Sequence, residues 1–518
     1  MKKIILIVTT MFAGISGYAQ DFVDNALLFS RLRPAGSARI QSLGGAQVSL
    51  GGDYSSAMSN PAGLGMFNRS EFTLSAGMTF VNSDSEYLGS ASTDSKSAFN
   101  IPGLSIVLHK SSERESGFMG GSFAITLNRI NDFNKDFQYS GTNDQNSLID
   151  YFLNYAQGAD PNSFLLDQHD EPGSEYYSIT GLAYRNFLIE DFFDSQNNEY
   201  YYTSELTPLP ADPDNPAEIR TLDQSETSES KGAQYQWAIS YGANFSDKWF
   251  VGASLGIVSL KYKIHQTFHE SNFRYSEDPD YQPIDYFRVR EDFDIRGSGV
   301  NFTIGGIVRP VDFLQIGASL VTPTFYSITD VYDAGINSVW KMYNVSDPSF
   351  PSQPNVEASF DQPLVSDYKL KTPMRLTTGA TLIAKYGFIS ADVEFINYTR
   401  SKYKSDYGSY EPENTDIKAE YQSAVNYRVG AEYRYEKFRL RGGYNFLADP
   451  FESSETNRSQ SAVTAGAGFR SKHFYIDAAA IFSSSRATRV PYSVDGPDPV
   501  AKQKYNTSVF LMTFGFPF

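Results

Sequence analysis

Three arrangements in this chain hold residue types that could do chemistry. Gly252-Ala253-Ser254-Leu255-Gly256 has the spacing of a nucleophile elbow, which exposes its serine on a strand-to-helix turn. His265 and His269, four residues apart, would share one face of a strand and could offer two ligands to a metal. Asp392 and Glu394 bring together two carboxylates, the pairing used in general acid–base catalysis. Each fails on its surroundings. Ile257 to Tyr262 continues an extended alternating pattern past Ser254, so no turn lifts the serine. Two imidazoles without a third convergent ligand make a poor metal site, and His109, His169 and His473 are scattered. Arginines stand near Asp392 and Glu394 in the pattern, which makes salt links their natural role. No metal and no cofactor is expected, and the chain does not read as an enzyme.

The elements that carry these residues are strands. The 518 residues include 77 aromatics, 39 glycines and no cysteine. Without cysteine there is no disulfide scaffold, thiol nucleophile, cysteine-ligated metal or lipid-modified amino-terminal cysteine. Lys+Arg 43 against Asp+Glu 60 gives a net charge of −17, which disfavours nucleic acid as a partner. Length alone would suggest about 3–4 soluble domains. A mean hydropathy of −0.36 beside so many aromatics argues instead for apolar residues spread thinly over sheet. Lys2 and Lys3, the apolar run Ile4–Ile15 and Gly17-Tyr18-Ala19 form an export signal, residues 1–19, cut after Ala19. The run is shorter than the ~20 residues a spanning helix needs, and no later segment is apolar enough to span as one.

From Glu71 onward the sequence falls into segments of alternating apolar and polar residues, the signature of a transmembrane β-barrel. Phe510, Met512, Phe514, Phe516 and Phe518 form one apolar face of the last segment, and Tyr427, Val429, Ala431, Tyr433 and Tyr435 that of another. Fourteen strands are expected, starting near residues 71, 100, 118, 234, 249, 297, 312, 374, 387, 421, 437, 459, 472 and 505. Their connections alternate between short turns, such as Ser246-Asp247-Lys248, and long loops at 82–99, 131–233, 265–296, 323–373, 399–420, 448–458 and 484–504. That alternation matches short periplasmic turns and long extracellular loops. The fold class is therefore an all-β antiparallel barrel of about fourteen strands over 70–518, in the bacterial outer membrane. Charges on its lipid face would cost ~2–4 kcal/mol each at midplane. Arg375, Asp392, Glu394, Arg428, Glu432, Arg434, Arg439 and Arg441 are accordingly assigned to the lumen, as struts that pair across strands.

Residues 20–69 do not alternate and are rich in Gly pairs and turn signals, including Asn60-Pro61-Ala62-Gly63. Ahead of a barrel with space to fill, they suit a hatch, or plug, in the lumen. The 131–233 loop is too long for a passive connection and carries two helix-like stretches, Gln145–Ala156 and Glu175–Ile189. Phe152, Phe187, Leu188, Phe192 and Phe193 are expected to form an apolar cap outside the membrane. The acidic loop residues Asp212, Asp214, Glu277, Asp278 and Asp280 are read as solvated.

An export signal, a Gly-rich segment ending in Asn60-Pro61-Ala62, about fourteen strands and a terminal Phe518 resemble the FadL/TodX (OMPP1) family of outer-membrane transport proteins. The resemblance covers the mature chain, and its most specific stretch is Ala38 to Phe67. It implies passive uptake of a hydrophobic ligand, a long-chain fatty acid or an aromatic hydrocarbon, with Asn60, Pro61 and Ala62 in the hatch. The family's head-group residues have no motif that aligns here. The expected partners are that ligand, outer-membrane lipid and lipopolysaccharide, and the barrel-assembly machinery, whose recognition signal the aromatic carboxy terminus resembles. The alternative function is a sealed barrel serving as an accessory subunit in a stable outer-membrane complex. An outer-membrane hydrolase would need a Ser–His pair near a rim.

Overall fold

A computed structural model describes residues 16–114, 116–164, 178–208, 220–276, 278, 280–344, 351–406, 408–452 and 456–518. Fourteen antiparallel staves wrap into one closed barrel. The first seven are β1 (Glu71–Tyr87), β2 (Ser90–Ser111), β3 (Phe118–Asp132, then Lys135–Asn143), β4 (Arg220–Phe245), β5 (Trp249–Tyr275), β6 (Ile284–Val311) and β7 (Leu314–Val321, then Phe325–Trp340). The rest are β8 (Leu364–Lys371, then Arg375–Ala384), β9 (Gly387–Asn397, then Lys402–Lys404), β10 (Ser423–Tyr435), β11 (Phe438–Leu447), β12 (Gln460–Arg470), β13 (Tyr475–Arg489) and β14 (Ala501–Pro517). β14 closes the ring on β1, in register from Glu71↔Pro517 to Tyr87↔Ala501.

Alternation explains the two faces. Along β5, Trp249, Val251, Leu255 and Ile257 are exposed on the outside, while Phe250, Ser254, Val258 and Leu260 are buried within. The short turns behave as expected. At Ser246-Asp247 both residues take φ +55°, and Asn244 and Asp247 hydrogen-bond reciprocally at 2.6 and 2.9 Å. Asp tolerates that left-handed backbone better than most residues.

Several expected loops prove to be strand. Residues 82–99 form the outer halves of β1 and β2, joined by a tight turn at Leu88-Gly89, with φ +46° and +79°. β4, β5 and β6 likewise run 26, 27 and 28 residues, through stretches assigned to the 131–233 and 265–296 loops. A spanning strand needs only about 9–11 residues, so these strands stand well outside the bilayer. Water touches their exterior there, the apolar/polar period fades, and sequence alternation loses its signal.

Residues before Ser70 do not join the wall. Helix α1 (Ser16–Ser30) stands in the lumen and crosses the expected cleavage position at Ala19. The residues ahead of it lie outside the described chain. Two one-turn helices, α2 (Ala38–Gln41) and α3 (Ser56–Ser59), and a 3₁₀ turn at Pro61–Met66 follow. The segment read as wholly irregular thus opens with a helix. Outside the membrane lie α4 (Leu148–Ala156), α5 (Ile179–Arg185) and a small hairpin of Glu190–Asp194 with Glu199–Thr203. A third outer helix, α6 (Glu411–Glu420), follows β9. No helix among the described residues is long and apolar enough to cross a membrane.

Candidate transport site

The plug is bonded to the wall around most of its circumference. Ala38 N donates to Thr513 Oγ1 at 2.8 Å on β14, and Gly44 N to Thr464 Oγ1 at 3.0 Å on β12. Gln47 N and Val48 N both donate to Asp392 Oδ2, at 2.7 and 2.9 Å. Ser49 Oγ meets Thr381 Oγ1 at 2.7 Å, and Tyr54 OH meets Ser75 Oγ at 3.1 Å. Asn60, fully buried, spans both bodies: its Nδ2 donates to Val48 O at 2.6 Å within the plug and to Gly306 O at 3.2 Å on the wall. Its Oδ1 caps the 3₁₀ turn by accepting from Ala62 N at 3.1 Å. Pro61, Ala62 and Gly63 are buried in that turn against β4 and β5.

Glycines make this proximity possible. A Cβ on Gly317 would stand 2.2 Å from Val48 O, one on Gly430 2.4 Å from Leu43 O, and one on Gly252 2.3 Å from Pro61 C. Gly242, Gly305 and Gly443 have similarly close approaches to the plug. Glycine inside a strand is a known mark of close backbone approach, so these inward positions were a readable signal that alternation alone does not weigh.

The charged lumen residues fall into two groups. Arg441, with no side-chain exposure, bonds Glu432 Oε2 through Nε at 2.7 Å and Asp477 Oδ1 through Nη1 at 2.7 Å. The reach to Asp477 crosses β12 at Gly468, where a Cβ would lie 2.2 Å from Asp477 Oδ1. Arg434 joins Glu432 at 2.6 Å. Burial lowers the pKa of plug residue Arg39, but Glu432 and Asp53 outweigh it and hold the guanidinium above its ordinary value. In the second group Arg428 Nη2 and Asn426 Nδ2 reach Glu394 Oε1 at 2.8 and 2.9 Å. Arg375 lies half-buried on the inner phase of β8 and acts on Glu394 through space. Arg439 departs from the strut assignment. It sits at the periplasmic rim, and its Nη1 donates to the carbonyls of Glu436 and Phe438 at 2.8 and 2.7 Å.

Above the plug lies a cavity of about 410 Å³ between α1 and the wall. Leu27, Leu28, Phe133, Phe137, Tyr262 and Ile295 supply apolar lining. Arg31, Arg33, Lys135 and Arg458 also line it, and among the described residues none of the four has a carboxylate within ion-pair distance. Arg31 donates to the carbonyls of Leu447 and Ala448, Arg458 lies over the Phe451 ring at 3.8 Å, and Lys135 over the Tyr505 ring at 4.9 Å. Burial pulls the guanidinium pKa of Arg31 and Arg33 below its usual value. Asp24 is the acidic residue of α1 that faces the same space. None of these residues was selected from sequence. Arg31-Leu32-Arg33 within a lumenal segment was the available hint, since a buried charge needs compensation.

The cavity borders a defect in the wall. β2 and β3 share backbone pairing only from Gly103↔Asn128 to Ser111↔Gly120. Pro102, in a bulge opposite β1, has no N–H to continue that ladder. Beyond it, the outer half of β3 reaches the β1–β2 hairpin through side chains, as in Lys96–Asp136 at 2.5 Å and Gln138 Nε2 to Thr93 O at 2.9 Å. Asn100 and Pro102 on one side and Arg129–Phe133 on the other line the cavity. The breaks at Pro323 in β7 and Pro373 in β8 differ, because Thr324 N donates to Thr372 Oγ1 at 2.9 Å and Thr372 N to Thr324 O at 3.0 Å.

The outer mouth is roofed. Phe152 and Leu188 are fully buried with Phe268, Phe287 and Trp340 of the strand extensions, and Phe187 packs against them. Glu270 anchors this roof: it accepts from Ser147 Oγ at 2.5 Å and Leu148 N at 2.8 Å at the start of α4. Phe192 and Phe193 stand apart. They lie on the small hairpin, 65% and 44% exposed, instead of entering the cap's core. Asp212, Asp214 and Glu277 lie outside the described residues.

The arrangements set aside on sequence show no catalytic assembly. Ser254 Oγ is buried inside β5 and accepts from Ser240 Oγ at 2.7 Å. His265 Nδ1 meets Asp292 at 2.5 Å, and His269 Nδ1 accepts from Arg288 Nε at 3.3 Å. No cluster among the described residues could hold a metal ion. His109 Nδ1 and Ser122 Oγ do lie 3.0 Å apart, but Ser122 is fully buried and among the described residues no carboxylate bonds the ring.

No protein-family model matches the chain, and no curated protein matches it in sequence. Solved structures do. A Pseudomonas aeruginosa FadL homologue superposes with a TM-score of 0.55 at 11% identity, over 94% of this chain and 100% of that one. The Ralstonia pickettii toluene transporter TbuX gives 0.50 at 15% identity, over 94% and 99%. The P. putida toluene transporter TodX gives 0.50 at 14%, with the same coverage. With its closed fourteen-stave wall and its amino-terminal segment in the bore, this chain has the fold of the FadL and TodX barrels.

Proposed function

We propose that this protein is an outer-membrane channel for the passive uptake of hydrophobic small molecules, and that its ligands carry an anionic end, as fatty acids do. The lumenal cavity carries the reading. Apolar side chains would hold a hydrocarbon portion, while Arg31, Arg33, Lys135 and Arg458, which outnumber the lining carboxylates Asp24 and Asp132 and form no ion pair with them, attract a negative group. The volume, about 410 Å³, falls in the usual range for small-molecule sites. TbuX and TodX are described as toluene transporters. Toluene is neutral and gives no use to four such cations, which favours the fatty-acid class over the aromatic hydrocarbon class here.

In this reading the ligand leaves the outer leaflet, meets the aromatic roof, where Phe192 and Phe193 offer a first apolar contact, and enters the cavity. Plug contacts at backbone distance close the periplasmic way, so the ligand exits sideways through the unpaired β2–β3 region. A permanently sealed accessory barrel would gain nothing from such a chamber beside a broken wall.

Binding of an alkyl carboxylate and of the alkanol of equal length to the purified protein tests this. The carboxylate is expected to bind at least tenfold tighter, and Arg33→Ser with Lys135→Ser should abolish the difference. Equal binding of both ligands to the unaltered protein would remove the case for an anionic ligand.

A further inference from the structure

Outside the barrel, the apolar band ends sharply on one face. Trp237, Ile257, Val300, Phe325, Leu376 and Phe395 are exposed to the surroundings on β4 to β9. Beyond it toward the outer side, the same outward phase turns cationic. Lys231 lies opposite Lys263, and Lys261 opposite Arg296. Across β7, Lys371 pairs in register with Phe325 and Lys402, and Lys369 with Lys404. The register therefore sets eight cations on the outward phase of five of six adjoining staves. Lys231, Arg296 and Lys369 are more than half exposed, at 64, 63 and 57%.

The carboxylates beside these cations do not neutralise them. Asp294 is shared by Lys263 and Arg296 at 2.6 and 2.7 Å, Asp406 meets Lys369 at 2.8 Å, and Glu229 stands 3.7 Å from Lys231. Glu411 is 4.0 Å from Lys402, and Asp367 bonds Thr329. Among the described residues Lys261, Lys371 and Lys404 have no carboxylate in range. On the opposite side Lys504 and Lys502 on β14 each lie in register with a carboxylate, Asp84 and Glu86 on β1, and Lys504 also with Arg486 on β13. A local cationic surplus on a chain of net charge −17 calls for an anionic partner on this face.

We infer that this face binds the phosphates of an outer-leaflet glycolipid of the lipopolysaccharide type, whose acyl chains lie along the apolar band below. The apolar band fixes the depth, and the cations beyond it lie where lipid head groups meet water. Lysine and arginine together supply the charge and the hydrogen-bond donors that phosphate oxygens accept. The inference depends on the barrel's place in the outer membrane and not on what the lumen carries.

The test is native mass spectrometry of the full barrel in detergent. The probes are a bisphosphorylated lipid A-type glycolipid and the same glycolipid stripped of phosphate. The phosphorylated form should be retained at least tenfold more. The variant Lys261→Ser/Arg296→Ser/Lys371→Ser/Lys404→Ser should lose that preference, with folding verified by the heat-dependent gel shift of intact barrels. The variant Lys502→Ser/Lys504→Ser should keep it. Equal retention of both glycolipids, full retention by the quadruple variant, or displacement by millimolar inorganic phosphate would each overturn the assignment.

Discussion

Arg441 shows how single residues set the lumen's character. Its guanidinium is enclosed by Glu432 and Asp477, and the second contact exists because Gly468 leaves room for it across an intervening strand. A buried pair of this kind contributes little net stability beyond a well-packed apolar alternative, yet removing one partner strands the other's charge. Arg441→Met should therefore destabilise the barrel by about 3–5 kcal/mol. The temperature of the folded-to-unfolded shift on semi-native gels measures this, and an unchanged transition would show that water already screens the cluster. Sequence alternation was enough to put Arg441, Glu432 and Arg428 on the inner phase. It could not say that Arg439, on the same phase, would lie at the rim, because height along a strand depends on where the turn falls in the membrane.

At the scale of elements, the plug and the wall were each legible, and their contact was not. Non-alternation marked residues 20–69 as distinct, and Asn60-Pro61 as a tight turn. What locks them is a set of wall glycines that let the plug backbone approach from several staves, together with Asp392 and Thr381, which bond plug groups. Ser49 Oγ and Thr381 Oγ1 lie 2.7 Å apart, and the chain has no native cysteine. Ser49→Cys with Thr381→Cys should therefore form a disulfide under oxidation and pin the plug. Uptake of a labelled alkyl carboxylate by cells should remain within about twofold of the reduced protein, since plug displacement is not on a lateral route. Loss of uptake that returns on reduction would place the exit through the plug.

For the whole molecule, closure is the decisive event, because an open edge would leave backbone groups unpaired in lipid. β14 makes that closure with seventeen residues in register against β1, and Phe518 N donates to Ser70 O at 2.9 Å at the end of the seam. Phe518 is 68% exposed, so its loss removes little packing. Deleting it should cut the yield of folded barrel in cells several-fold while leaving the thermal transition of the folded fraction within a few degrees. A matching fall in stability would assign Phe518 to the seam instead of to recognition during assembly.

The linear chain by itself determined the architecture. Lipid on one side and a wet lumen on the other impose a period of two within the bilayer, and short turns are marked by local chemistry. Strand starts near 71, 118, 249 and 387 therefore coincide with the structure. Tertiary structure alone decided the lengths of the outer strands, the lumenal helix α1, the cationic cavity, the unpaired stretch beside β3 and the cluster of outward cations. Those features join residues such as Arg33, Lys135 and Arg458 that are hundreds of positions apart, and they arise from register and shear, which no local pattern encodes.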